Sequence, residues 1–289
     1  MTTTTSTYLG ITQNLARYQA MTAADPSVKT ASAYYAANIG KVASIADFVG
    51  NYRLLSYALE AHGLGDQINA TALVTKVLEG GVASSASLAN TLSDPRWKAF
   101  AAAFDFVGKG AASIATTDAV NATAGDYVEN QLEANQGASD VGVQLALYFQ
   151  RVAPTIANNY GLLGDPNLLQ VVQTIFSLPP ETGASNVDNE AAAIGKLVPL
   201  ADLQDPKKLQ MLTERFTAMY DLTYGPSSGS SSSLSVASNS ASPIESAASS
   251  ILGGIISSNG ESLASSLSGG ASSFNLQLLT SIQGLTLGG

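Results

Sequence analysis

The chain has no cysteine, one histidine and one tryptophan, and only 12% of its 289 residues are charged. Each shortage excludes a class of chemistry. Without cysteine there is no disulfide, no thiolate metal site and no sulfur nucleophile, and the redox state of a compartment leaves the chain untouched. With His62 as the single imidazole, a zinc centre of ordinary ligands has no donors to draw on, and a Ser-His-Asp arrangement would hang on one ring. The net charge is −9 with a pI near 4.5, and no run of Lys or Arg occurs, so a phosphate backbone meets no electrostatic attraction. No nucleic-acid partner is expected. Apolar runs are broken by Asn, Ser, Gly or a charge well short of about 18 residues, which predicts no membrane span. Met1 to Thr7 is Thr-rich, uncharged and followed by no apolar stretch, which predicts no cleavable secretory signal.

Hydrophobic residues make up 45% of the chain, ample for a buried core. The charged share is about half the roughly 25% of ordinary globular proteins, so Ser, Thr, Asn and Gln form much of the surface, the look of an exported protein. The apolar residues recur at helical spacing. Phe48, Leu55, Ala58 and Leu59 make one stripe; Trp97, Phe100 and Phe104 a second; Leu145, Tyr148, Phe149 and Val152 a third; Leu209, Leu212, Phe216, Met219 and Tyr220 a fourth. No stretch alternates with the period of two that marks a strand. The fold class read from this is all-α.

Asp-Pro stands at Asp25-Pro26, Asp94-Pro95, Asp165-Pro166 and Asp205-Pro206. Asp accepts from the free N–H groups of a helix start, and Pro at the first helical position loses no hydrogen bond. Aligning these starts exposes a repeat through Ser44-Ile45-Ala46-Asp47-Phe48, Ser87-Leu88-Ala89-Asn90, Thr155-Ile156-Ala157-Asn158-Asn159 and Pro199-Leu200-Ala201-Asp202-Leu203. The markers Ile45, Leu88, Ile156 and Leu200 lie 43, 68 and 44 residues apart, so the halves are offset by 111 to 112 residues. A duplicated helical unit follows, forming one elongated or two-lobed body over residues 1–225, with halves at about 8–110 and 126–225. Gly108 to Gly125 reads as a connector with a short helix, and Tyr127 to Asn135 as the opening of the second half.

After Gly225-Pro226 the composition turns to Ser and Gly, the make-up of a flexible tail over residues 226–289. Within it Ile244, Ala248, Ile251, Leu252, Ile255 and Ile256 form one apolar stripe, and Leu276, Leu279 and Ile282 a shorter one. These either dock on the body or order on a partner. Ile251, Leu252, Ile255, Ile256, Leu276, Leu279 and Ile282 are therefore the candidate partner contacts. At the other end Ile11, Leu15 and Tyr18 pose the same choice.

No arrangement of catalytic, cofactor-binding or metal-ligating residues stands out. His62 precedes Gly63, which suits a helix C-terminus where a cationic ring meets the negative end of the dipole and Gly takes the left-handed cap. Gly80-Gly81, Gly108-Lys109-Gly110 and Gly253-Gly254 lack the strand and the Lys-Ser/Thr ending of a phosphate loop. Trp97 reads as a half-buried anchor or a surface contact.

The stretch Asn51-Tyr52-Arg53-Leu54-Leu55-Ser56-Tyr57-Ala58-Leu59-Glu60-Ala61-His62-Gly63-Leu64 resembles a bacterial family known as domain of unknown function 1217. Tyr34-Tyr35, Leu92-Ser93-Asp94-Pro95-Arg96, Leu145 to Arg151, Leu169 to Thr174 and Arg215 to Leu222 carry the same resemblance, which spans about Tyr8 to Tyr224. The resemblance implies no reaction and no cofactor. It is similar to alphaproteobacterial proteins encoded among flagellar genes, which implies a non-enzymatic structural or assembly protein of the flagellum, with flagellar or other protein components, or a second copy, as partners. Location on the flagellum, or outside the cell by export without a signal peptide, goes with that expectation. The alternative is a secreted or cytoplasmic helical interaction or chaperone-like module unrelated to motility.

Overall fold

Side-chain caps set where most of the helices begin. A computed structural model describes residues 3–179 and 186–225. Thr3 accepts from the Ser6 N–H and opens α1 (Thr4–Gln13), and Asn14 separates it from α2 (Leu15–Ala24). Asp25 then caps α3 (Pro26–Asn38), Ser44 caps α4 (Ile45–Gly50) and Asn51 caps α5 (Tyr52–Ala61). Next come α6 (Thr71–Gly80), α7 (Leu88–Thr91) and, capped by Asp94, α8 (Pro95–Ala103). Beyond a 3-10 turn at Ala111–Ala115, Thr116 caps α9 (Thr117–Gly137), Asp140 caps α10 (Val141–Val152), Asn158 caps α11 (Asn159–Gly164) and Asp165 caps α12 (Pro166–Phe176). The last three are α13 (Val187–Leu197), α14 (Leu200–Gln204) and α15 (Pro206–Tyr224). Each capping oxygen satisfies an N–H that the first turn leaves without a partner. Among the described residues no strand occurs, so the fold is all-α.

The order of elements runs twice. A long opening segment, α3 or α10, a 3-10 turn at Ile39–Lys41 or Ala153–Thr155, a six-residue helix, and then four more helices appear in the same succession. The caps locate the correspondence: Thr3 with Thr116, Asp25 with Asp140, Ser44 with Asn158, Asn51 with Asp165, and Asp94 with Asp205. This corrects the expected register in one place. Ser44 corresponds to Asn158, 114 residues on, and not to Thr155, because it is Asn158 whose side chain accepts from the N–H three residues ahead, Gly161. Similar letters misled the alignment where the caps differ in residue type. Asn51 stands where the other units carry Asp-Pro, and it accepts from Leu54 N–H at 3.2 Å.

A second correction concerns the start of the second half. Helix α9 begins at Thr117, ten residues before the expected Tyr127, because Thr116 accepts from Ala119 N–H and the Ala- and Thr-rich stretch behind it is helical. The corresponding stretch, Thr4–Ala24, has the same span but breaks at Asn14 into α1 and α2.

Two apolar cores result. The first gathers Phe48, Leu55, Leu59, Val74, Phe100 and Phe104 from α4 to α8, with Tyr35 and, from α9, Tyr127. Its rings stack: Phe48 on Phe104 at 5.0 Å and Tyr57 between Tyr35 and Tyr127 at 4.5 and 4.0 Å. The second gathers Phe149, Leu162, Leu168, Val172, Ile194 and Phe216 from α10 to α15, with Tyr8 and Ile11 from α1. Fully burying a side chain of this size stabilises by about 1.5–3 kcal/mol, so the four stripes read from the sequence account for the main attractive term. Ile11 packs into the body, whereas Leu15 stays 39% exposed. Residues 226–289, with the predicted tail and its contact residues Ile251, Leu252, Ile255, Ile256, Leu276, Leu279 and Ile282, lie outside the described residues.

Candidate functional site

The polar groups that sequence reasoning passed over meet where α5, α8, α9, α10 and α12 converge. Helix α5 ends in a Schellman cap: Leu64 N–H donates to Leu59 O at 2.7 Å and Gly63 N–H to Glu60 O at 3.0 Å, with Gly63 at φ +70° as that geometry requires. The cap presents the Gly63 carbonyl to Arg96 on α8, whose Nη1 donates to it at 2.5 Å. Asp94 caps α8 and also holds the same guanidinium, accepting from Nη2 at 2.8 Å and Nε at 3.0 Å. Burial works against the Arg96 cation, but the Asp94 carboxylate bonded to it, together with the neighbouring Tyr148 and Asp165, outweighs burial and keeps the group charged.

On α10, Arg151 forms a forked pair with Glu133 of α9, Nε to Oε1 at 2.6 Å and Nη2 to Oε2 at 2.8 Å. Glu133 is buried, and burial raises its carboxyl above the ordinary range while Arg151 pulls it back down. Tyr148, one turn before Arg151, donates to Asp165 Oδ2 at 2.5 Å. Asp165 is fully enclosed and spends its other oxygen on the Asn167 and Leu168 N–H groups that begin α12. Burial, then the Asp165 charge, pushes the Tyr148 hydroxyl far above its usual value. The cap read in Asp165-Pro166 is thus real, and the same carboxylate ties α10 to α12.

His62 sits at the end of α5, as expected, but its charge is not. The ring lies edge-on to Phe100 at 5.7 Å and to Phe104 at 5.9 Å, and its Nε2 is buried without a hydrogen-bond partner. Burial, with Arg151 nearby adding repulsion, lowers its pKa to about 4. The ring is neutral at pH 7, so the predicted contact between a cation and the helix dipole does not exist. Trp97, expected half-exposed, is 4% exposed and packs against Phe100.

A cleft of about 280 Å³ opens beside this cluster, between α2, α9 and α10. Leu15, Leu132 and Leu147 give it an apolar floor. Its polar groups engage one another: Gln19 donates to Glu129 at 3.1 Å, Gln150 accepts from Tyr8 at 2.9 Å, and Arg151 is held by Glu133. Among the described residues no group of three or more His, Asp or Glu is placed to hold a metal ion. One signal for the cluster was present in the sequence: Arg151 is the single charge in Val141–Val152, a helix otherwise buried along most of its length. A charge there needs a buried partner, and only the fold shows that it is Glu133.

Comparison with known proteins bears out the family resemblance, the family match covering part of the span expected for it. Residues 61–209 match the family described as protein of unknown function DUF1217. A crystal structure of a protein from Agrobacterium tumefaciens is 41% identical and superposes with a TM-score of 0.70, covering 75% of this chain and 93% of that one. No curated protein matches. With half of the chain matched by the family and a solved relative at that identity along nearly its whole length, this chain belongs to the DUF1217 family.

Proposed function

We propose that the chain is a non-enzymatic structural or assembly protein of the bacterial flagellum, working through helical protein–protein contacts. The observation that carries the contact part is the outer face of α15. Met211, Ala218 and Leu222 lie exposed along it at spacings of 7 and 4, with Arg215 on the same face and Leu222 79% exposed. An apolar stripe left in solvent at helical spacing is the form in which one helix offers itself to another protein. The polar groups of the cluster support the same reading from the other side. Arg96, Arg151, Tyr148 and Asp165 are bound to partners within the fold, and His62 is enclosed by phenylalanine rings. They tie helices together, and Arg151, which lines the cleft between α2, α9 and α10, is held there by Glu133.

The flagellar part is supported by the resemblance to proteins encoded among flagellar genes and by the low share of charged residues. Deleting the gene in a motile bacterium that carries it tests the proposal: swimming slows, and hooks or filaments change in number or length under the electron microscope. Normal swimming with unaltered hooks and filaments rejects it.

A further inference from the structure

Helix α1 is held almost entirely by the other end of the described chain. Tyr8 and Ile11 sit in the second core, each 1% exposed. Tyr8 Oη donates to Gln150 on α10 at 2.9 Å, and Thr4 Oγ1 donates to Asp140 at 2.9 Å. On α15 the Asp221 carboxylate accepts from the Thr4 and Thr5 N–H groups at 2.9 and 3.2 Å, satisfying the first turn of α1 from across the molecule. A single residue outside helical geometry, Asn14 at φ −126° and ψ 28°, joins α1 to α2. Its side chain caps nothing on α2 and donates back to Gly10 O.

The second repeat shows the alternative. There the corresponding segment is α9, unbroken over 21 residues. It too crosses to the other repeat, where Thr123 lies against the Tyr35 hydroxyl. Tyr8 with Gln150 and Thr123 with Tyr35 are the same pair of positions, 115 residues apart and with the repeats exchanged. Their second neighbours differ, since α1 lies on α15 and α9 on α5. Each repeat therefore takes its covering helix from elsewhere. Were Asn14 to adopt helical dihedrals, Thr4–Ala24 would become one rod about 30 Å long, and α1 would leave the groove between α10 and α15.

We propose that α1 is an exchange helix: the groove between α10 and α15 of one copy accepts α1 of a second copy. The occupant's chemistry is already given, because Tyr8, Ile11, Thr4 and Thr5 remake the same contacts in trans, and only the dihedrals of Asn14 change. Reciprocal exchange closes a dimer, and one-way exchange, with donor and acceptor on different surfaces, builds rings or open chains of copies. This goes beyond the flagellar reading and does not depend on it.

The lack of native cysteine makes the test direct. Full-length Thr5→Cys and Asp221→Cys chains, carrying tags of different mass, are mixed at high concentration, incubated and oxidised. A disulfide-linked heterodimer in clear excess over a control mixture of Thr5→Cys with Met21→Cys is the expected result. No excess over that control overturns the proposal. Asn14→Ala, which favours the continuous helix, gives an independent readout by sedimentation. The average mass rises with concentration at least twofold more steeply than for the natural chain; identical mass curves overturn the proposal.

Discussion

At the scale of single residues, His62 and Arg151 carry the sharpest expectations. A histidine whose pKa falls from about 6.5 to about 4 on folding takes up a proton more readily in the unfolded chain. Stability is therefore fully present above pH about 6.5 and is lost as pH falls towards about 4, by up to about 3 kcal/mol. Denaturant melts across that window should show the loss, and His62→Gln should flatten it; an unchanged slope in the variant contradicts a neutral, buried ring. Arg151→Met leaves Glu133 buried without its forked partner, a change that costs about 3–5 kcal/mol, whereas replacing both residues by apolar ones restores most of the stability. Melts of the single and double variants separate these outcomes. The position of His62 at a helix end was legible in the sequence because Gly63 follows it. Its neutrality was not, since the rings that enclose it, Phe100 and Phe104, come from α8 and the residue that ends it.

At the scale of elements, close approaches between helices decide what the chain tolerates. Gly164 ends α11 against Ser93, and a Cβ there would come within 2.3 Å of the Ser93 carbonyl oxygen. Gly164→Ala must push the two repeats apart, and a loss of about 1–3 kcal/mol is expected in thermal or denaturant melts. Asp221 acts on α1 as a cap does, so Asp221→Ala should cost about 1 kcal/mol. It should also speed amide hydrogen exchange at Thr4 and Thr5 while leaving α12 unchanged; equal exchange in both proteins would contradict the anchoring role. Helix starts were readable wherever Asp preceded Pro, because cap and proline act within one turn. The early start of α9 and the break at Asn14 were not. Thr117–Gly137 and Thr4–Ala24 are both rich in polar residues and free of Pro, so no local breaker marks which of the two stays continuous.

At the scale of the molecule, α9 gives Tyr127 to the first core and packs on α10 of the second half, and α1 is claimed by the second core, so the repeats share elements instead of standing alone. Trp97, the single tryptophan, reports on the first core only, while helical circular dichroism reports on both. The two signals should trace one coincident unfolding transition; a tryptophan transition well ahead of the helical one would show that the halves melt separately. The all-α class was legible because helical periodicity and caps are local. The convergence of Arg96, Arg151, Tyr148 and Asp165 was not, because the acceptors Gly63, Glu133 and Asp165 are brought to them by other elements of the fold. A pull-down of the full chain from cells with intact flagella, scored by mass spectrometry against a tag-only control, tests the proposed function most directly. The account predicts enrichment of hook, filament or export components. Recovery of those components no higher than in the control would contradict it.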